Sequence, residues 1–232
     1  MAIVKRAMAE GIEAAGAEAL VPDLTHLLSD EDPRTRHTVL DVLKRMTKQD
    51  LGFDAGAWRR WWEKRGTPEA TKPHTVPSYH GLPIDTERVA FLFDRSGSMR
   101  WPHTPGFTTR MDVCRDALIQ VLSEVSPRTV FNLGAFDKKV DPWQKREVEA
   151  APATIKKASR WVKRQEAKSG AWTNTYGALQ RTFEQNPTID TIYFLSDGIP
   201  EDGEITTSEG LLAAVRDWNR MRRVRIHVIA LT

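Results

Sequence analysis

Arg88-Val-Ala-Phe-Leu-Phe-Asp-Arg-Ser-Gly-Ser-Met99 is the stretch on which the reading of the fold turns. Val89 to Phe93 is an unbroken apolar run, too short for an ordinary helix and suited to a strand buried on both faces. It stops at Asp94, and Ser96 and Ser98 then alternate with Arg95 and Gly97. A carboxylate and two hydroxyls are thus delivered by a loop at a strand's carboxyl end, where open parallel sheets place their ligands.

Outward from this strand, further buried strands are predicted at 129–135, 191–195 and 224–231, with a short edge strand at 140–143. Helical patterns fill 110–125, 152–167, 174–185 and 208–221. Strands alternating with helices imply a doubly wound, mostly parallel α/β sheet with right-handed crossovers. In the order 3-2-1-4-5, counted within this region, the first and fourth strands are neighbours across the switch point, which sets Asp94 beside Asp197. Counting strand directions brings the 169–173 turn to the same rim. Asp94, Ser96, Ser98, Thr173 and Asp197 then form an all-oxygen set suited to a hard divalent cation, magnesium first and manganese or calcium as substitutes. Three of the five donors are neutral hydroxyls, so the ion stays poorly neutralised with an open position. A carboxylate from another molecule is the natural ligand there.

The chain ahead of this region reads differently. Residues 1–65 are helical throughout: an Ala/Glu-rich stretch reaching Leu20, a helix from Pro22, a third capped by Asp32 with Pro33 at its first position, and a short one at 55–65. Leu20-Val-Pro-Asp-Leu-Thr-His-Leu-Leu-Ser-Asp-Glu-Asp-Pro-Arg-Thr-Arg36 resembles a HEAT-type repeat, though only one such unit is visible and a solenoid needs neighbours. Trp58, Trp61 and Trp62 share a helix face and are expected in the core. Residues 66–83 hold four prolines and two glycines and are read as a linker, with His74 and His80 as exposed loop histidines.

Composition narrows the function. The 232 residues allow one or two domains, and a net charge of +3 gives no support to nucleic-acid binding. Lys156, Lys157, Arg160, Lys163, Arg164 and Lys168 are best read as a solvated helix face. The single cysteine, Cys114, excludes disulfides and falls at an apolar helix position, as a packed thiol would. Early glutamates fit no secretory leader, and no apolar run is long enough to span a bilayer, so a soluble cytoplasmic protein is expected.

Asp94-Arg-Ser-Gly-Ser98 after a buried strand, with Thr173 in Gly170-Ala-Trp-Thr-Asn and Asp197 in Leu-Ser-Asp-Gly, resembles the metal-ion-dependent adhesion site of von Willebrand factor A domains. The resemblance covers 84–232 and implies divalent-dependent binding of a protein partner through an acidic residue, without catalysis. It implies that the hydroxyls touch the metal while one or both aspartates act through water. Two departures stand out. Arg95 sets a cation beside the site. The family continues past Leu231 with further helix and strand, so either the chain is truncated or the sheet has an edge for a partner to cover.

Three other readings compete. A strand ending in Asp also resembles haloacid-dehalogenase-type phosphatases, with Asp94 as nucleophile, but Ser96 stands where that chemistry wants a second acid. Ser98 as a hydrolase nucleophile lacks both the glycine pattern and a placed histidine. The alternative without chemistry is a metal-free scaffold in which these oxygens merely cap helices. On the binding reading, Trp101, His103, Phe107 and Trp172 are the rim's expected partner-facing rings.

Overall fold

The computed structural model describes residues 20–30, 32–65, 77–103 and 108–231. The expected helix before Leu20, the 66–76 part of the linker with His74, and Phe107 lie outside the described residues. The chain divides into two compact units between Pro77 and Ser78.

The first unit is helical. Helices α1 (Val21–His26), α2 (Pro33–Thr47) and α3 (Ala55–Lys64) gather Leu24, Leu28, Val39, Leu40, Leu43 and Trp58 into one core. Aspartates start two of them. Asp32 accepts from the Arg34 and Thr35 N–H groups, and Asp54 from those of Gly56 and Ala57, filling donors that a helix start leaves unpaired. Trp58 is fully buried and its indole N–H donates to the Gly52 carbonyl at 2.8 Å, while Trp61 and Trp62 pack partly buried against the same core.

The second unit opens with a hairpin of β1 (Ser78–Tyr79) and β2 (Leu82–Pro83), so the end of the stretch read as linker is ordered. His80 and Gly81 both take positive φ, 49° and 78°, the two-residue turn whose twist matches paired strands. Tyr79 is the reason for the order: its ring is buried edge-on against Phe91 and Tyr193. His80 is consequently half-buried against Tyr79 rather than an exposed loop residue.

The main sheet contains β3 (Arg88–Asp94), β4 (Val130–Phe136), β5 (Val140–Pro142), β6 (Val148–Glu149), β7 (Thr191–Ser196) and β8 (Arg225–Ala230). Its order is β5-β4-β3-β7-β8, with β6 also on β4. β3 runs parallel to β4 and β7, β7 parallel to β8, and only β5 and β6 are antiparallel. The order matches the expected one, and β6 is an addition whose two residues are too few to show a period.

Helices α4 (Arg110–Glu124), α5 (Pro152–Lys163), α6 (Thr175–Gln185) and α7 (Ser208–Asn219) complete the unit. The alternation of β3 explains its apolar run. Val89, Phe91 and Phe93 enter the core that also holds Leu118 of α4 and Val162 of α5. Ala90 and Leu92 enter the one that holds Leu179 and Phe183 of α6. Both faces are covered, so no polar position is tolerated until Asp94. On the far side β8 pairs only with β7 among the described residues, and Val228 on it is 70% exposed.

Candidate metal centre at the sheet rim

The register of β3 against β7, Phe93 opposite Leu195, brings Asp94 level with Ser196 and one residue from Asp197. Asp94 is fully buried, and both of its oxygens are engaged. Oδ1 accepts from the Ser96 N–H at 2.7 Å and Oδ2 from the Ser196 hydroxyl at 2.6 Å. Burial raises the Asp94 carboxyl above its ordinary value. The hydrogen bonds from Ser196 and Ser96 pull it back, and the nearby Asp197 charge pushes it up again, leaving it raised. Ser196 has no expected role from the sequence; it sits one residue before Asp197, just past the expected end of the apolar strand, and the structure makes it the last residue of β7.

The two serines of the loop lead from Asp94 to Asp197. Ser98 Oγ donates to Asp197 Oδ1 at 2.8 Å, and Ser96 Oγ lies 3.3 Å from Ser98 Oγ. Since Ser98 has one proton and gives it to Asp197, Ser96 is the donor in that second contact. The third loop is bound to the first by backbone: Gly97 N–H donates to Ala171 O at 3.1 Å and Lys168 N–H to Arg95 O at 2.8 Å. A side chain on Gly97 would press on the Gly170 backbone nitrogen at 3.4 Å, so glycine permits this approach. Thr173 is buried, its carbonyl held by the Glu201 and Asp202 N–H groups. Its hydroxyl lies where a Cβ on Gly198 would come within 3.3 Å, against the residue following Asp197.

All five predicted oxygens therefore come from loops that meet at one rim, as the parity of the strands implies. The set is rich in hydroxyls: among the described residues, no group of three or more His, Cys, Asp or Glu side chains is placed to hold a metal. Two carboxylates, three hydroxyls and a glycine that keeps Thr173 uncrowded fit a hard cation in chemistry. They do not fit helix capping. Among the described helices, α4 is capped by Thr109, α6 by Asn174 and α7 by Thr207, and Ser96 makes no capping bond ahead of the Gly97–Arg100 turn.

Arg95 does not bear on the site as its position in the sequence implies. Its buried guanidinium turns away, with Nε 2.7 Å from Asp137 Oδ2 and Nη1 at 3.1 Å from Asp141 Oδ2 and 2.7 Å from Gln165 Oε1. Lys168 Nζ joins Asp137 at 3.0 Å. These bonds also explain why α5 ends at Lys163 instead of 167: Gln165 and Lys168 are drawn into the network. The cation that does reach the rim is Arg110, whose Nη1 is 2.7 Å from Asp197 Oδ2.

Around the opening, Trp101 is 61%, Trp172 54% and Ile199 79% exposed, and His103 is half-buried. Among the described residues, half of the six exposed large hydrophobic side chains lie on loops of this rim, which concentrates them where a ligand would enter. Cys114 is buried beneath Tyr79, 3.9 Å from its hydroxyl, and burial pushes its thiol up to about 12, which removes it as a nucleophile.

The sequence profile of the von Willebrand factor type A domain matches residues 87–232. Among curated proteins, the chain is 28% identical over 140 residues to inter alpha-trypsin inhibitor heavy chain 4 of Mus musculus, covering 56% of this chain and 14% of that protein. It is 32% identical over 101 residues to heavy chain H3 of Bos taurus, covering 44% of this chain and 10% of that one. It thus spans a small part of the length of these relatives. A solved von Willebrand factor type A structure from Catenulispora acidiphila aligns with 19% identity and a TM-score of 0.49, over 63% of this chain and 33% of the other. With the profile covering well over half of its length, from the strand before Asp94 onward, the chain belongs to the von Willebrand factor type A domain family.

Proposed function

We propose that the second unit is a divalent-cation-dependent protein-binding module, in which Asp94, Ser96, Ser98, Thr173 and Asp197 hold magnesium and the bound ion accepts a carboxylate of a protein partner. The observation that carries this reading is the continuous hydrogen-bonded path Asp94, Ser96, Ser98, Asp197 at the rim of a sheet in this family. When bound, the ion supplies positive charge with an open coordination position. The chain's residues supply its oxygen donors, hold them through the loop contacts of Gly97 and Lys168, and flank the opening with Trp101, Trp172 and Ile199. Binding, not catalysis, is the proposed role. Both Asp94 oxygens are engaged in accepting hydrogen bonds, and the acid that a phosphatase needs two residues on is Ser96, which disfavours Asp94 as a nucleophile.

The helical unit is proposed as a separate HEAT-like module. Among the described residues no helix is long and apolar enough to cross a membrane. The lone buried thiol suits a reducing compartment, and the cytoplasm is the proposed location.

Titration calorimetry with magnesium and manganese tests the metal, with Ser96→Ala/Ser98→Ala as control. Saturable heat in the native protein and none in the variant is expected; equal heats in the two would overturn the site. Capture of a partner from lysate with and without chelator then tests the dependence. Trp101→Ala/Trp172→Ala is expected to weaken capture while leaving the metal heat and the melting temperature unchanged.

A further inference from the structure

Arg110 is the first residue of α4, where a positive charge opposes the helix dipole. Nothing in the helix rewards it. Instead its guanidinium crosses to the rim and pairs with Asp197 Oδ2 at 2.7 Å, with 15% of its side chain exposed and that of Asp197 fully shielded. Its backbone N–H donates to Trp101 O at 3.0 Å, and its Cζ lies 5.5 Å from the Trp101 ring centroid. Its Nε is buried and has no hydrogen-bond partner among the described residues. A local rule is broken here, and the compensation lies in the candidate site.

Resting on the metal-binding reading above, we infer that Arg110 is a built-in counter-cation that weakens the site's hold on a divalent ion and raises its demand for an acidic ligand. The two carboxylates, Asp94 and Asp197, bring two negative charges to a bound ion and Arg110 offsets one. A bound dication then leaves one net positive charge, which a partner's carboxylate neutralises. Without Arg110 the loaded site would already be neutral, and the same carboxylate would make it negative. One arginine therefore couples the two binding events: the metal alone is held less tightly, and metal with carboxylate more tightly than either separately. The unpaired Nε lowers the cost of the rearrangement, since a guanidinium that leaves Asp197 can satisfy a donor that is now buried without a partner.

The test is manganese binding by electron paramagnetic resonance on the full chain, for the native protein, Arg110→Gln and Arg110→Lys, in sodium chloride and in sodium acetate at equal ionic strength. Native protein is expected to bind manganese more tightly in acetate than in chloride. Arg110→Gln is expected to bind manganese in chloride about tenfold more tightly than native protein and to lose the acetate effect. Arg110→Lys keeps the charge and should stay near native in both salts, which separates the charge from a general disturbance of α4. Unchanged or weaker manganese binding by Arg110→Gln in chloride, or an acetate effect that survives the substitution, overturns the inference while leaving the metal site standing. Manganese binding by none of the three proteins sinks the metal reading itself and this inference with it.

Discussion

At Asp94, burial and hydrogen bonding pull the carboxyl in opposite directions, and burial prevails. A carboxyl whose folded value is raised holds its proton longer in the folded chain than in the unfolded one. The metal-free protein therefore loses stability as pH rises from the ordinary carboxylate range to that raised value. A cation needs the ionised form and must displace the proton. With magnesium a hundredfold above its Kd, mass action stabilises the fold by about 2.7 kcal/mol, a rise in melting temperature of roughly 5–10 °C. Thermal melts are expected to show that rise at about pH 7.5 and a smaller one at about pH 5. Asp94→Asn should abolish the rise at both without lowering the metal-free melting temperature, because it removes a buried charge. A metal-induced rise that persists in Asp94→Asn would exclude this carboxylate from the site. Most of the candidate site was legible at this scale, since Asp94, Ser96 and Ser98 fall at alternate positions of one loop and carry a spacing. Ser196 and Arg110 were not. Ser196 closes an apolar strand, and Arg110 reaches Asp197 across 87 positions, a contact that only the fold creates.

Among the elements, the loop after β3 is held in place by a buried network that the sequence presents as unrelated charges. Arg95 points away from the candidate metal site and joins that loop to Asp137 and Asp141 beyond β4 and to Gln165 beyond α5. Burial alone would raise Asp137, but hydrogen bonds from the Lys139 N–H, Lys168 and Arg95 outweigh it and hold its carboxyl below the ordinary value. A lowered carboxyl contributes stability that is present above the ordinary carboxylate range and lost as pH falls through the lowered value. Asp137→Asn is expected to cost about 2 kcal/mol in urea unfolding at neutral pH, because Arg95 keeps only part of its pairing. It should also weaken metal binding without touching the rim, since the serines ride on the same loop. A variant as stable as native at neutral pH would show the network to be idle. The main strands were readable as short apolar runs buried on both faces, and the helices by their helical period. The hairpin of β1 and β2 was not, because prolines and a glycine around it resemble a linker and only the burial of Tyr79 shows why it is ordered.

For the whole molecule, the question is whether the sheet unit with its candidate metal site depends on the helices before it. Among the described residues, the core of the helical unit runs from Val21 to Trp58, while both cores of the sheet unit draw on residues from Tyr79 onward. All five candidate ligands, with Arg110 and the Arg95 network, belong to the second unit as well. A fragment of residues 78–232 retains Tyr79, whose ring fills the space beside Phe91 and Tyr193, whereas a fragment starting after the hairpin, at residue 84, leaves a cavity there. Losing a buried aromatic ring of this size costs about 3–5 kcal/mol, a large share of a domain's stability. The longer fragment is therefore expected to melt in one cooperative transition and to bind manganese with the affinity of the full chain. The shorter one should melt at least about 10 °C lower, or fail to fold. Equal melting temperatures would show that the hairpin is an appendage. Loss of manganese binding in a folded 78–232 fragment would show that the helical unit takes part in the site.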